Sequence, residues 1–486
     1  MNLAGLSAVA NTVRSLTIDA VEKAKIGHPG LPMGCAELGA LVYGEFLSHW
    51  PQDPHWANRD RFVLSAGHGC MLLYSLLHLS GYDLGLEDIR NFRQLGSRTP
   101  GHPEWGVTAG VEATAGPLGQ GFSNAVGMAI AERILAAKFN TPGRTVVDHF
   151  TYVLVSDGDM MEGIASEAAS LAGHLKLGKL IVFYDSNQIT IEGSTSLAFS
   201  EDVLKRYEGY GWRTMGGDMY DMPAISQMVD QAKKAGEKPT IIRLQSIIGK
   251  GAPKKAGTSK AHGEPLGPEE AAAAKKNIGV PEGCQFYVFP EAQEYFKGRQ
   301  PAWKARYEEW KKTFEAWKKE NPDKAAEWVK YFEGGKADLS GVTFPSFKVG
   351  ESLATRAASG QVLNAIARAV PNLIGGSADL APSNSTNLKD MGDFNASNPL
   401  GRNFHFGIRE HGMGGICNGI AYHGGLRPFC ATFLVFSDYM RPSVRLAAIS
   451  RLPVIYVFTH DSVFVGEDGP THQPVEHLAA LRSIPN

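Results

Sequence analysis

Six short apolar runs, each of strand length and each closed by a polar or glycine-rich turn, constrain this chain more than any other feature. TYVLVSD from Thr151, LIVFYDSN from Leu180 and PTIIRLQS from Pro239 occupy the first half. NLIGGSADL, RPFCATFLVFSDY and LPVIYVFTHDS occupy the second. Segments of helical period separate them. Strands that are apolar on both faces need cover on both sides, so the expected fold is α/β, with two doubly wound, mainly parallel sheets. At 486 residues the chain exceeds what one core supports. The expected division is an α/β domain over 1–265, a helical connector over 266–350 and a second α/β domain over 351–486. That last domain reads as incomplete, since no further strand–helix unit follows before Asn486 and its sheet would be short and open-edged.

The connector region, with EEAAAAKK and the segment from Trp303 to Phe332, is charged, helical in period and rich in tryptophan. It reads as a solvated helical layer, because interleaved acids exclude a basic nucleic-acid surface. The segment GIASEAASLAGHLKLG has helical spacing and a stop at Gly178. The N-terminal 25 residues read as an amphipathic helix and lack the layout of a signal peptide. A formal net charge of −2 gives no field toward nucleic acid or an anionic membrane, so local donors must hold any bound anion. Five scattered cysteines without a CxxC pair argue against disulfides and zinc ribbons. No apolar run has bilayer-spanning length. The expectation is a soluble, cytoplasmic protein.

Two places carry the chemistry. Asp157, in SDGDMMEG, and Asn187, in YDSN, stand at the carboxyl ends of two expected strands. A magnesium ion takes oxygen ligands from one or two carboxylates together with phosphate oxygens, and an Asp with an Asn amide oxygen supplies part of that set. Gly158 leaves an amide open to a phosphate. Each piece alone is weak, because Asp after a strand is commonly a helix cap and Asn is common in turns. Their order, with GPLGQG from Gly116 upstream, is more specific.

At these residues the chain resembles thiamine-diphosphate enzymes, and GHPGLPMG, TPGHPE, GPLGQG, REHG and GEDGPTHQP narrow the resemblance to the transketolase family, nearly end to end. It implies two domains of the thiamine-diphosphate-binding type, the first for the diphosphate and the last for the pyrimidine. It implies that Asp157, Asn187 and the Ile189 carbonyl hold Mg2+ (or Ca2+), and that Gly116, Leu118 and Gly158 lie against thiamine diphosphate. Ser156 departs from the first glycine of the family motif, with a side chain that would crowd the turn to small effect. Glu410, in REHG, would hydrogen-bond the pyrimidine; from the residues alone it reads rather as a surface salt-bridge partner of Arg409. Phe433, Phe436 and Tyr439 would surround the same ring, although their spacing by itself fits core packing. Asp379 would lie near the thiazolium.

Six of the fifteen histidines stand beside Gly, Pro or Asp at expected loops: His28, His68, His102, His262, His460 and His472. Imidazoles there can exchange hydrogen bonds and protons near neutral pH. The resemblance implies that His28, His68, His102, His262 and His472 assist catalysis, with His68 and His262 also at the cofactor. It places His28, His102, His460, His472 and Asp468 on sugar hydroxyls, and Arg356 and Ser383 on the sugar phosphate. A guanidinium fork suits phosphate, although Arg356 also fits a helix-surface ion pair. Glu162 and Glu167 match acids that link paired active sites in a homodimer; they equally suit a helix N-terminus. The implied reaction is reversible transfer of a two-carbon ketol unit, carried on the cofactor, from a ketose phosphate to an aldose phosphate of the pentose phosphate pathway. A dihydroxyacetone-synthase-like transferase using formaldehyde and a truncated, non-catalytic cofactor-binding form are the competing readings.

Overall fold

The computed structural model describes residues 1–333 and 335–486. The chain forms two compact units, each considered by itself: Met1–Ala125, His149–Ser166 and Lys176–Lys312 in one, Val126–Asp148, Glu167–Leu175 and Thr313–Asn486 in the other.

The first unit holds a five-stranded, wholly parallel sheet. Its strands are β1 (Arg61–Leu64), β2 (Thr151–Ser156), β3 (Leu180–Ser186), β4 (Arg213–Asp218) and β5 (Thr240–Gln245), in the order β1-β2-β3-β5-β4. β2 and β3 are central and buried at every position, as their unbroken apolar runs require. Leu154 and Phe183 join a core that includes Leu6, Val13, Leu72 and Trp303. The sheet matches the expected α/β class, but β1 and β4 escape the sequence pattern. β1 is only RFVL, and β4 is the glycine-bearing edge strand RTMGGD, partly exposed along its length. β1, buried at all four positions, is too short to stand out, whereas the exposed edge position of β4 relaxes the demand for apolar residues that makes a strand visible.

The second unit carries a four-stranded parallel sheet of β6 (Leu373–Ser377), β7 (Asn403–His405), β8 (Arg427–Phe433) and β9 (Ile455–Thr459), ordered β7-β6-β8-β9. Three-residue β7 is the strand the sequence hides. The pair Gly375–Gly376 lets β6 sit closely between its neighbours: a Cβ on Gly376 would lie 1.8 Å from the Phe404 carbonyl oxygen.

Three local expectations need correction. The expected N-terminal helix forms, over Leu3–Ala24, but its second half is not amphipathic, since every residue from Thr12 to Val21 is buried. Arg14, inside it, is neutralised by Glu37 at 2.5 Å. The connector is not simply solvated either. Trp303 packs on His49 at 4.3 Å in the first unit, and Trp317 and Trp328 enclose Phe139 in the second. All three indoles are buried. The helix expected to run to Gly178 stops at His174, and the chain turns at Lys176, whose φ is +56°. Among the described residues no helix is long and apolar enough to cross a membrane.

Candidate active site

In the first unit the chemistry sits where β2 and β3 end. Ser156 caps the short helix Asp157–Met161, which delivers Asp157 and Gly158 directly from the strand. Asp157 is 4% exposed. Its Oδ1 accepts from the Tyr184 hydroxyl at 2.6 Å and its Oδ2 from the Gln188 amide at 2.9 Å, while burial pushes its carboxyl above the usual range. Removing a carboxylate from water is costly, and a cation would relieve that cost.

Asn187 is oriented from behind. Its amide nitrogen donates to Asp185 at 2.9 Å, which turns its Oδ1 the other way, onto the Ile189 amide at 2.9 Å. Asp185 is wholly buried, its acidity weakened by that burial to a pKa of about 6, and it also accepts the Ser246 hydroxyl. Gln188 bridges the two strand ends in the left-handed region, at φ +61°. Among the described residues none donates to the Ile189 carbonyl. The three oxygens expected to hold a cation therefore stand at the neighbouring ends of β2 and β3, one of them without a partner.

These residues and Leu118 line a cleft of about 360 Å³ with His68 and His262. A Cβ on Gly158 would come within 2.8 Å of the Leu118 side chain, so glycine keeps the turn and its amide open. Gly116 lies against His102, where a Cβ would be 3.5 Å from the ring. The buried Nδ1 of His262 has no hydrogen-bond partner. Oxygen donors, an open amide and an orphaned imidazole nitrogen in one cleft fit a metal-bound diphosphate.

Four of the six singled-out histidines meet here. His28 lies 5.4 Å from His68, 6.0 Å from His102 and 5.8 Å from His262, ring centre to ring centre. His68 and His262 are stacked at 5.1 Å. Burial holds all four below the ordinary imidazole value, His28 at about 4, so they are neutral at pH 7.

Sequence reading missed two residues that organise this site. Asp159, fully buried, accepts four hydrogen bonds: from Ser65 at 2.6 Å, from the Gly119 amide at 2.7 Å, and from the Ser156 amide and hydroxyl at 2.8 and 3.0 Å. It ties the GPLGQG loop to the end of β2. It also corrects the reading of Ser156, whose side chain joins this network and does not crowd the turn. The Ser-x-x-Asp spacing of a capping box was the available signal. The second is Arg93, whose Nη2 lies 3.2 Å from His28 Nδ1 and 3.2 Å from the Gly101 carbonyl. Guanidinium only donates, so His28 must accept at Nδ1 and carry its proton on Nε2. No local motif announces Arg93.

In the second unit Glu410 opens the helix Glu410–His423 beside β8. It is 8% exposed, burial raises its carboxyl pKa, and the Thr432 hydroxyl lies 3.4 Å from it. Arg409 turns instead to the Phe406 carbonyl at 2.9 Å and Ser170 at 3.1 Å, and Glu167 accepts the Gly412 amide at 2.7 Å. Glu162 is exposed in the first unit.

The aromatic triplet grades from interior to surface: Phe433 is 8% exposed and Tyr439 64%. Phe433 and Phe436 stack at 5.8 Å, His460 lies on Phe433 at 3.7 Å, and His472 meets Phe436 edge-on at 5.2 Å. Arg356 Nη1 approaches His460 Nε2 at 3.4 Å. The other ring nitrogen therefore carries the proton, facing the Thr459 hydroxyl at 3.0 Å, which in turn donates to Asn384 at 2.6 Å. Arg356, His460 and Asp468 line an open hollow of about 810 Å³. Ser383 and Asp379 (φ +60°) are exposed after β6 and are not among its lining residues.

The comparisons agree with both sheets. Residues 6–336 match the family model described as transketolase, thiamine diphosphate binding domain, and residues 351–486 match transketolase, pyrimidine binding domain. A transketolase of Treponema pallidum is 56% identical over 484 residues, covering 99% of this chain and 73% of the relative. The transketolase structure from Leishmania mexicana superposes with a TM-score of 0.96 at 46% identity, over 99% of this chain and 72% of that one. A Pichia stipitis transketolase in complex with sedoheptulose-7-phosphate gives a TM-score of 0.95 at 44% identity, with the same coverage. The chain belongs to the transketolase family.

Proposed function

We propose that Asp157, Asn187 and the Ile189 carbonyl hold one divalent cation, magnesium or calcium, against the diphosphate of thiamine diphosphate. As a transketolase the chain moves a two-carbon ketol unit reversibly from a ketose phosphate to an aldose phosphate. The relatives do not favour the formaldehyde-accepting reading or a non-catalytic form. The carrying observation is Asn187: Asp185 grips its amide nitrogen, so its oxygen is held turned away from Asp185, toward the Ile189 amide, before any ligand arrives.

Thiamine diphosphate supplies the carbon nucleophile and the electron sink. Glu410, dry enough to keep a proton more readily than a surface acid, shares that proton with a pyrimidine nitrogen. Phe433, Phe436 and Tyr439 flank the ring and exclude water. His68, His102 and His262, neutral at pH 7, each carry one donor and one acceptor for sugar hydroxyls and the cofactor, while His28, whose Nδ1 already accepts from Arg93, offers its Nε2 donor. Asp379 lies toward the thiazolium. His460, His472 and Asp468 read further hydroxyls, and Arg356 with Ser383 grips the sugar phosphate.

Residues 1–265 form the diphosphate domain of this reading, 266–350 the connector and 351–486 the pyrimidine domain. The active form is a cytoplasmic homodimer serving the pentose phosphate pathway, with each site completed by the second copy and Glu162 and Glu167 linking the two. The exposed apolar side chains Ile408 (77%) and Tyr439 (64%), two residues from Glu410 and three from Phe436 in sequence, support a surface that a second copy covers.

Titrating thiamine diphosphate against intrinsic fluorescence tests the central claim. Saturable uptake that needs Mg2+ and weakens at least about 100-fold in Asp157→Asn is the expected result. Uptake indifferent to both chelator and that substitution sinks it.

A further inference from the structure

Away from the sites above, Asp438, Glu476 and His477 bring one ligand atom each to within 4.8 Å of one another, in the second unit. Asp438 lies in the first turn of the helix Ser437–Ile449; Glu476 and His477 begin the helix His477–Arg482. The two carboxylates face solvent, with side chains 59% and 74% exposed, whereas the imidazole is 4% exposed. Exposed acids alone mean little.

The imidazole is the unusual part. Both of its ring nitrogens are buried, and neither makes a hydrogen bond. Nε2 lies 3.2 Å from Asp438 Oδ2, within reach but without the alignment a hydrogen bond needs, and Nδ1 lies 3.9 Å from Glu476 Oε2. A simple imidazolium–carboxylate pair would point its N–H at the oxygen. With metal–ligand bonds of about 2.0–2.2 Å, neighbouring ligand atoms of a tetrahedral or octahedral shell lie about 3–3.4 Å apart, out of line with any N–H. The His477–Asp438 separation is such an edge. Glu476 needs a rotamer change of its exposed side chain to close the third position, and solvent completes the shell.

We propose that Asp438, Glu476 and His477 form a second cation site, separate from the Asp157 turn, that takes a divalent transition ion of the zinc, cobalt or nickel class. Nitrogen ligation selects that class over magnesium and calcium, which prefer all-oxygen shells. The site clamps the start of one helix to the start of another, next in sequence to Tyr439 on one side and three residues after Gln473 on the other.

The test is a cobalt(II) titration of untagged protein in excess Mg2+, followed by the visible d–d band and by bound metal per chain. One cobalt taken up beyond the magnesium-sensitive site is expected. His477→Gln should abolish it, Asp438→Asn and Glu476→Gln should each weaken it at least about 10-fold, and Asp157→Asn should leave it intact. The two carboxylate variants lie on the surface and keep the test decisive if the buried histidine variant misfolds. No cobalt beyond the site that Asp157→Asn removes, or uptake equal in all variants, overturns the proposal.

Discussion

The two sites are built to opposite standards of rigidity. In the first unit Asp157, Asp159 and Asp185 are buried, their oxygens already committed to neighbours, and four neutral histidines pack ring against ring. In the second, Arg356 and Asp468 are exposed around an open hollow, Ser383 is exposed apart from it, and of the expected site residues there only Glu410 and Phe433 are buried. A group bound in every turnover repays preorganisation, because ordering donors in advance removes that cost from binding. Groups that grip substrates of varying length need freedom to adjust. The contrast teaches that burial, more than residue type, separates the acids proposed to hold the cofactor and its cation from the second-unit residues proposed to grip the sugar phosphate.

The largest expected effect breaks this contrast at its exception, the buried acid of the second unit. Glu410→Gln should lower kcat by about 10²–10⁴-fold while thiamine diphosphate affinity shifts far less, because a proton-sharing role is lost and little contact is removed. Matched losses in affinity and kcat would assign Glu410 to binding. Next comes Asp159→Asn. An amide cannot accept all four hydrogen bonds, and the variant should lose about 2–4 kcal/mol of stability by denaturant unfolding and bind cofactor at least about 10-fold more weakly. Unchanged stability would show that this network is not prearranged.

Arg93→Met removes the donor that fixes the His28 tautomer. kcat/KM should fall about 10-fold, with a new acidic limb in its pH profile as His28, freed of an adjacent positive charge, titrates above about 4. An unmoved profile would leave Arg93 a packing residue. The smallest effect is on pH. Asp185 has a folded pKa of about 6, above its unfolded value, and Asp157 is raised in the same direction. Both bind protons more readily in the folded protein, so cation uptake should hold at pH 7 and weaken progressively below about pH 6. A cation affinity flat from pH 7 to 5 would mean that these carboxylates do not control it.

Much of this was legible in advance, and the failures have physical causes. Central strands such as β2 and β3 must be apolar on both faces, so their composition betrays them; the edge strands β4 and β7 face no such demand. Asp157, Asn187 and Glu410 sit in contiguous motifs at strand or helix ends, where local geometry and ligand chemistry coincide. Arg93 acts on His28 across sixty-five positions of chain, and nothing local records that pairing. Trp303, Trp317 and Trp328 sit in a charged stretch whose average hid their buried face.

By itself, then, the sequence determined the parallel α/β class, the family and the residue types able to hold a cation and a diphosphate, because these depend on periodicity and on short motifs read in order. Tertiary structure alone decided which groups are dry, which tautomer His28 and His460 carry, that Ser156 bonds to Asp159 without crowding its turn, and that His477 stands between two acids. Those properties belong to the surroundings of a side chain, and the surroundings come from segments that only folding brings together.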